Sequence, residues 1–243
     1  MSKLLDFQKG PSRTLEVRNK SDSVAELIIY ANIGKKFWPE DDTVSAKEVS
    51  DALSKLSSSV KELNIRINSP GGDVFEGVAI YNRLKELKIK KTVQIDGLAA
   101  SIASVIALAG DEIVIGEGAM YMIHLPWTFA MGNRMEMENT INLLMEVEEQ
   151  IIGIYARRTK ISRMEIKKML EADNGVGTWM DATEAKKKGF VDKTMEASVP
   201  IAASALKQPW ILKAPAIENT SGKAAKKKAA ELKLKIEGTL ARK

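Results

Sequence analysis

The chain has 243 residues, of which 44% are hydrophobic, and this suits one moderately large domain with a core, or a domain with an appendage. It contains no cysteine and one histidine, His124, which excludes disulfides, thiol nucleophiles, cysteine-ligated metals and the multi-histidine cluster of a typical catalytic zinc site. The start lacks an apolar secretion signal, and the longest apolar-leaning run, 97–110, is too short and serine-rich to span a bilayer. We therefore expect a cytoplasmic protein with no membrane partner.

The net charge of +5 is concentrated at the end of the chain. From Leu206 onward ten Lys or Arg stand against three Glu; the whole chain has 37 basic and 32 acidic residues, so 27 basic and 29 acidic residues precede this tail. The main domain therefore has no excess of positive charge that would favour binding to nucleic acid. We predict an N-terminal segment at 1–23, a globular domain at 24–205, and a basic, partly flexible tail at 206–243. The tail is either simply solvated or a contact for nucleic acid or an acidic protein face.

Strands and helices alternate through the first half of the chain. Val24–Ile33 is a β-branched, buried strand, and Glu62–Asn68 is another that ends in a Pro-Gly-Gly turn. A helix begins between them at the capping box Ser45–Glu48. The later predicted elements are a helix with Val78, Tyr81, Leu84 and Leu87 on its apolar face, a strand Thr92–Asp96, a helix Ala99–Ala109, and strands Glu112–Gly116 and Met120–His124. This alternation predicts an α/β fold with a mostly parallel sheet, and its chemistry should lie at strand ends.

Helices dominate the second half. Apolar residues at three- and four-residue steps predict a long amphipathic helix from Met137 to about Arg158, whose stripe is either core or a subunit interface. Ser162 caps a second helix, and Asp181 opens a short third helix that Gly189 ends.

Three segments suggest nucleophilic catalysis by a hydroxyl group. Ser101 follows a strand and opens a helix, where amides and the helix dipole favour developing negative charge. His124 ends a later strand and could take the serine proton. Gly71 and Gly72 can turn sharply and expose an amide to an oxyanion. Each feature alone is more often structural, so their order and spacing carry the argument.

These residues resemble the Clp protease proteolytic subunit family of serine peptidases, which belongs to the wider crotonase-like fold. The resemblance runs from about Val24 to Asp192, and the segments that carry it are Ile67–Gly72, Ala79–Tyr81, Gly97–Ser101, Met122–Pro126, Ala182–Ala185 and Gly189–Asp192. It implies a nucleophile at Ser101, its base at His124, and an oxyanion hole formed by the amides of Gly72 and Ile102. It also implies that Gly71 and Leu125 contact the substrate, and that an added β-strand of substrate lies along Gly72 and the strand before His124.

The third catalytic residue departs from the family pattern. The family has an acid two residues before an aromatic residue, which is Trp179 here, but that position is Gly177. A short insertion, 174–177, would shift the register and leave Asp173 as the acid. Asp181 is more consistent with a helix cap, and Asp192 belongs to the segment Gly189–Asp192.

The resemblance implies a serine endopeptidase that needs no metal or organic cofactor, forms homo-oligomeric rings through the long protruding helix, and acts on polypeptides. The insertion 35–43, the basic tail and the missing axial-loop segment resemble the phage and prophage branch, whose members are head maturation proteases acting on scaffold or capsid proteins in the host cytoplasm or procapsid. Three alternatives stay open. They are a chambered subunit working with an unfolding ATPase, a fold-related acyl-CoA enzyme, and a catalytically weak capsid-assembly scaffold protein.

Overall fold

The computed structural model describes residues 13–36 and 41–195. Within them the strands are β1 Thr14–Asn19, β2 Val24–Tyr30, β3 Asn32–Ile33, β4 Thr43–Val44, β5 Glu62–Ser69, β6 Lys90–Ala100, β7 Glu112–Ile115, β8 Met120–Ile123, β9 Thr178–Met180 and β10 Lys193–Thr194. The helices are α1 Ala46–Leu53, α2 Val74–Glu86, α3 Ile102–Ala107, α4 Arg134–Thr159, α5 Arg163–Glu171 and α6 Ala182–Lys187, with a 3₁₀ turn at Ala172–Gly175.

The main sheet has eight strands, and most of its neighbours are parallel. Its order is β1-β2-β5-β6-β7-β10, with β8 beside β6 and β9 beside β8. Only β1 with β2 and β8 with β9 are antiparallel among the described strands of this sheet. Parallel neighbours need crossover connections, which α1, α2 and α3 supply. The predicted α/β fold with a mostly parallel sheet is confirmed.

Strand β6 changes its neighbour along its length. Its first part, Thr92–Ile95, pairs with β7, whereas Leu98–Ala100 pairs with β8. The register of β5 against β6 shifts between Ile67 and Ser69, where this change begins. The end of β6 therefore lies beside the end of β8, and this brings residue 101 close to residue 124.

The core lies between the sheet and its helices, and α4 contributes to it with one half only. Residues 151–155 of α4 are buried, and the ring of Tyr155 contacts Phe190 edge-on, with 5.8 Å between ring centroids. Earlier in the same helix, Ile141, Leu143 and Met145 are exposed. The apolar face of α4 is therefore buried in the core near the end of the helix and exposed in its first half.

Local capping patterns predicted several helix starts correctly. Ser45 and Glu48 form the predicted capping box of α1, and the side chains of Ser162 and Asp181 accept the expected amide hydrogen bonds at α5 and α6. Three boundaries were wrong. The strand predicted at Val24–Ile33 is interrupted at Ala31, and α4 begins before Met137. Ala99 and Ala100 belong to β6 rather than to a helix, because their pairing with β8 overrides the helix preference of alanine.

Some predictions concern residues outside the described part of the chain. These are most of the segment 1–23 before Arg13, the middle of the insertion 35–43, the end of the domain after residue 195, and the whole basic tail 206–243.

Candidate active site

Ser101 occupies a strained turn between β6 and α3. Its φ of 53° and ψ of −131° lie outside the regions that residues with a side chain usually adopt. Two backbone hydrogen bonds hold the turn: the Ser101 amide donates to the carbonyl of Met122 at 3.0 Å, and the Ser104 amide donates to the carbonyl of Ser101 at 3.0 Å. The turn projects the hydroxyl from a rigid strand end, which suits a nucleophile.

His124 follows β8 directly, and its imidazole reaches the serine. Its Nε2 lies 2.8 Å from Ser101 Oγ, within hydrogen-bond distance. A general base must hold this geometry to take the hydroxyl proton. The structure thus brings together the nucleophile and base that the sequence predicted, across 23 residues of chain.

Gly71 lies against the turn at Ser101, and its neighbour Gly72 lies against Ile33. A Cβ on Gly71 would come 2.6 Å from Ser101 Cβ and 2.7 Å from the carbonyl oxygen of Ala100, so the backbone can approach this closely only with glycine there. Ile102 is the first residue of α3, and its amide has no acceptor inside the helix. Among the described turn, loop and cap hydrogen bonds, neither the Gly72 nor the Ile102 amide is a donor. Both amides thus keep the donor capacity that an oxyanion hole requires.

A buried hydroxyl network supports the nucleophile from behind, and the sequence did not reveal it. Ser104 Oγ donates to the carbonyl oxygen of Ser101 at 2.5 Å and lies 2.7 Å from the hydroxyl of Tyr155. The hydroxyl of Tyr121 donates to the carbonyl of Ser104 at 2.6 Å. The three-residue spacing of Ser104 from Ser101 was a usable signal, because it suggests a helix-turn contact. No such signal pointed to Tyr155, because its place in the helical pattern is that of an ordinary core residue.

Burial determines the direction in which the pKa of His124 shifts. Removal of water from the half-buried imidazole lowers the pKa of His124 from its ordinary value of 6.5. A carboxylate in contact with the ring would act in the opposite direction. The neutral imidazole, which is the form that accepts a proton, is therefore favoured.

The loop before β9 lies against His124 and has an unusual backbone. Asp173, Asn174, Gly175 and Gly177 all have positive φ. A Cβ on Gly177 would come 2.1 Å from the carbonyl oxygen of Ile123 and 2.4 Å from His124 Cβ. The position where the family pattern has an acid therefore has no space for any side chain with this backbone.

Asp173 is exposed in the 3₁₀ turn that follows α5. Within residues 13–36 and 41–195, its carboxylate makes no hydrogen bond to His124, whose only side-chain hydrogen bond is the one to Ser101. The structure does not bring this third predicted residue into contact with the other two, and its role stays a prediction.

The strand before His124 is not a free edge for an added strand of substrate. β8 pairs with β6 on one side and with β9 on the other, so its backbone groups are already used. That part of the predicted substrate path was wrong. Leu125, directly after the base, instead lines a cavity of about 530 Å³ together with His124, Trp127 and Trp179.

Within residues 13–36 and 41–195, no group of three or more His, Asp or Glu residues is arranged to hold a metal ion. No helix in the same part of the chain combines the length and the apolar character needed to cross a membrane.

Comparison with known proteins agrees with this geometry. The sequence model of the Clp protease family matches residues 28–198. Among solved structures, a mutant of ClpP1 from Listeria monocytogenes is 28% identical to this chain, with a TM-score of 0.60, and the match covers 71% of this chain and 92% of that one. The family match includes the turn at Ser101 and the strand before His124. The chain belongs to the Clp protease family of peptidases.

Proposed function

We propose that the protein is a serine endopeptidase that cleaves polypeptides through an acyl-enzyme formed on Ser101. The observation that carries this proposal is the 2.8 Å contact between Ser101 Oγ and His124 Nε2 at the strained end of β6. A serine hydroxyl is a weak nucleophile unless an adjacent base removes its proton, and His124 is placed to do so.

The proposed reaction has two halves. Nε2 of His124 takes the proton of Ser101 while Oγ attacks the peptide carbonyl, and the amides of Gly72 and Ile102 donate to the resulting oxyanion. His124 then gives its proton to the leaving nitrogen, and the C–N bond breaks. In the second half, His124 takes a proton from water as the water attacks the acyl-enzyme. The ester bond then breaks, and His124 returns the proton to Ser101.

The site works as a dyad in this proposal, because Gly177 replaces the family's acid. An orienting carboxylate holds the imidazole in its reactive tautomer and stabilises its cation, so a site without one should turn over slowly. A slow enzyme suits a few cuts per substrate molecule. This supports a maturation protease acting on scaffold or capsid proteins of a phage, as do the insertion 35–43 and the basic tail of the sequence.

The proposal includes homo-oligomeric rings assembled through α4, in the host cytoplasm or a procapsid. The exposed apolar residues in the first half of α4 support an interface between copies of the chain.

A fluorophosphonate probe tests the nucleophile. We expect stoichiometric labelling at Ser101, no labelling of Ser101→Ala, and labelling slowed by at least about 100-fold in His124→Ala, since general-base catalysis contributes roughly that much. Ser57→Ala, a change of an exposed serine outside the site, serves as the control and should be labelled like the wild type. Equal labelling of wild type and Ser101→Ala would contradict the assignment.

The biological substrate needs a separate experiment. Co-expression with neighbouring capsid genes should give shortened scaffold or capsid protein with the wild type and intact protein with Ser101→Ala, as measured by intact-protein mass spectrometry. If scaffold and capsid proteins stay intact although Ser101 of the wild type can be labelled and particles form, the result would instead favour the alternative of a capsid-assembly scaffold protein. Cleavage only after addition of an unfolding ATPase would favour the chambered alternative.

A further inference from the structure

Two cavities of very different size are both lined in part by His124. The smaller one is about 20 Å³ and touches both Ser101 and His124; we call it the acyl-side cavity. The larger one is about 530 Å³ and touches His124 but not Ser101; we call it the leaving-side cavity. Most of the residues that line each cavity are apolar, and the two cavities differ most in the size of the group that they can accept.

The chemistry of the proposed reaction decides which part of a substrate meets each cavity. The residue that donates the scissile carbonyl is bonded to Ser101 in the acyl-enzyme, so its side chain must lie beside Ser101 and Ile102. The leaving nitrogen receives its proton from His124, so the residue after the scissile bond must lie beside the imidazole. The acyl-side cavity, which touches Ser101, is therefore the one that can receive the first residue, and the leaving-side cavity, which touches His124 but not Ser101, is the one that can receive the second.

The acyl-side cavity has fixed walls. Besides the catalytic pair, its lining consists of Val74, Ile102, Pro126, Ile151 and Tyr155. Ile102, Ile151 and Tyr155 are all buried, and the hydroxyl of Tyr155 is held by Ser104 Oγ at 2.7 Å. The ring cannot move aside without breaking this buried hydrogen bond. A volume of about 20 Å³ holds roughly one water molecule, which is close to the size of a methyl group.

The leaving-side cavity has the size of an ordinary ligand pocket. Its apolar lining includes Leu125, Val176 and two indole rings, those of Trp127 and Trp179. Trp179 is about half exposed, so its ring surface is available to a bound side chain. No carboxylate or ammonium group lines this cavity among the described residues.

We infer that this protein cleaves after a small residue (alanine, glycine or serine) and before a bulky apolar or aromatic residue. The inference rests on the proposed serine peptidase mechanism and adds the substrate class to it. Ile151 and Tyr155 determine the first preference by filling the acyl-side cavity, and Trp127 and Trp179 determine the second by providing apolar surface.

The test profiles cleavage sites in a library of proteome-derived peptides with the full-length protein, read by mass spectrometry. We expect alanine before the scissile bond to be preferred over leucine by about tenfold or more, because one or two excess methylenes in a closed apolar pocket cost at least that. Phenylalanine or leucine should be enriched after the bond. A wild-type profile with leucine or phenylalanine before the bond as often as alanine overturns the inference.

Matched variants assign each preference to its cavity. Ile151→Ala should admit leucine before the scissile bond and reduce the preference for alanine severalfold, whereas Ile154→Ala, an equally buried change on the same helix, should leave the profile unchanged. Ile151→Val gives the same direction with less risk to folding. Trp127→Ala should remove the preference after the bond, and Met131→Ala, an exposed apolar change in the same loop outside this cavity, should not. Unchanged profiles in Ile151→Val and Ile151→Ala contradict the assignment.

Labelling of Ser101 separates this inference from the proposed mechanism. If Ser101 is labelled by the fluorophosphonate but cleavage shows neither preference, the proposed mechanism stands and the inferred specificity is wrong. If Ser101 is not labelled, both the mechanism and the specificity are wrong.

Discussion

His124 is the residue whose chemistry depends most on its surroundings. Burial lowers its pKa below 6.5, so the neutral form that can accept the proton of Ser101 persists to lower pH than for a solvated histidine. We expect the rate of fluorophosphonate labelling to reach half of its plateau below pH 6.5. The measurement is the labelling rate constant between pH 4.5 and pH 9, at fixed ionic strength.

The same profile tests the role of Asp173. A carboxylate that contacts the imidazole would raise the pKa of His124, and its removal would lower that pKa again. We expect Asp173→Asn to leave the midpoint and the plateau close to the wild-type values. A midpoint above pH 6.5 that falls in Asp173→Asn would instead identify Asp173 as the orienting acid.

The sign of the effect on stability follows from the direction of this shift. Above pH 6.5 the folded and unfolded chains both have a neutral His124, so the group contributes no difference. As pH falls below 6.5 the unfolded chain binds the proton more readily, and the free energy of unfolding decreases.

Gly177 is the second residue with a specific prediction. A side chain there would overlap the carbonyl of Ile123 and the Cβ of His124, and its φ of +95° is strained for any other residue. We expect Gly177→Ala to lower the free energy of unfolding by more than about 2 kcal/mol and to slow labelling of Ser101. Urea unfolding and labelling kinetics measure the two effects.

Gly118→Ala is the control for this change, because a Cβ at Gly118 would meet nothing within 4 Å. It should change the free energy of unfolding by less than about 0.5 kcal/mol. For the same steric reason, Gly177→Asp should not restore a catalytic triad. Faster labelling of Gly177→Asp than of the wild type would contradict the described backbone.

At the scale of elements, α4 and α3 are joined behind the nucleophile by Tyr155 and Ser104. Ser104 Oγ holds the carbonyl of the strained Ser101, so its loss should let the turn relax. We expect Ser104→Ala to slow labelling about tenfold and Tyr155→Phe to slow it by less, since a buried hydrogen bond contributes about 0.5–1.5 kcal/mol.

A positioning role predicts a particular kinetic pattern for these variants. The maximal labelling rate should fall while the probe concentration at half-maximal rate stays constant. Thr159→Val removes another buried hydroxyl of α4, one that donates to the carbonyl of Tyr155, and should leave the labelling rate unchanged. Equal rates in Ser104→Ala and Thr159→Val would mean that Ser104 only contributes to packing.

The elements also show what sequence patterns could predict and where they failed. Helix starts at Ser45, Ser162 and Asp181 were predictable because a cap is a contact within four residues. β1 and β9 were not predicted, because β1 is a half-exposed edge strand and β9 has only three residues. Their strand structure comes from pairing with other strands. β9 pairs with β8, which is far from it in sequence, and β1 pairs with β2, which follows it after a short turn.

The candidate site was predictable to different extents. Ser101 and His124 stand at strand ends within motifs that resemble a known family, so the resemblance identified them before any geometry. Tyr155 is 51 residues from its partner Ser104, and no spacing rule connects them. The two cavities form where α2, α4 and the loop before β9 pack together. No local sequence pattern predicts this packing.

At the scale of the whole molecule, an apolar surface remains uncovered on the first half of α4. Ile141, Leu143 and Met145 are exposed there, and Ile141 and Met145 share one face because they are four residues apart on the helix. We expect the wild type to sediment as an oligomer and the double variant Ile141→Glu/Met145→Glu to sediment as a smaller species. Analytical ultracentrifugation at several protein concentrations makes the measurement.

Met164→Glu provides the matched control, because Met164 is an exposed apolar residue of α5 outside this surface. It should sediment like the wild type. A monomeric wild type, or an oligomer unaffected by the double variant, would contradict an interface on α4.

The change of neighbour along β6 has a mechanical consequence. Ser101 is tied to β8 by its own amide, and His124 continues from β8, so nucleophile and base move together with the β8–β9 arm. Gly72 is instead tied to Ile33, through the hydrogen bonds of Gly71 and Asp73 on the other side of the site. Ser69 of β5 pairs with Ala99, so the chain that leads to Gly72 is joined to this same end of β6. One strand end thus couples the positions of Ser101, His124 and the Gly72 amide, and a displacement there would disturb proton transfer and the oxyanion hole together.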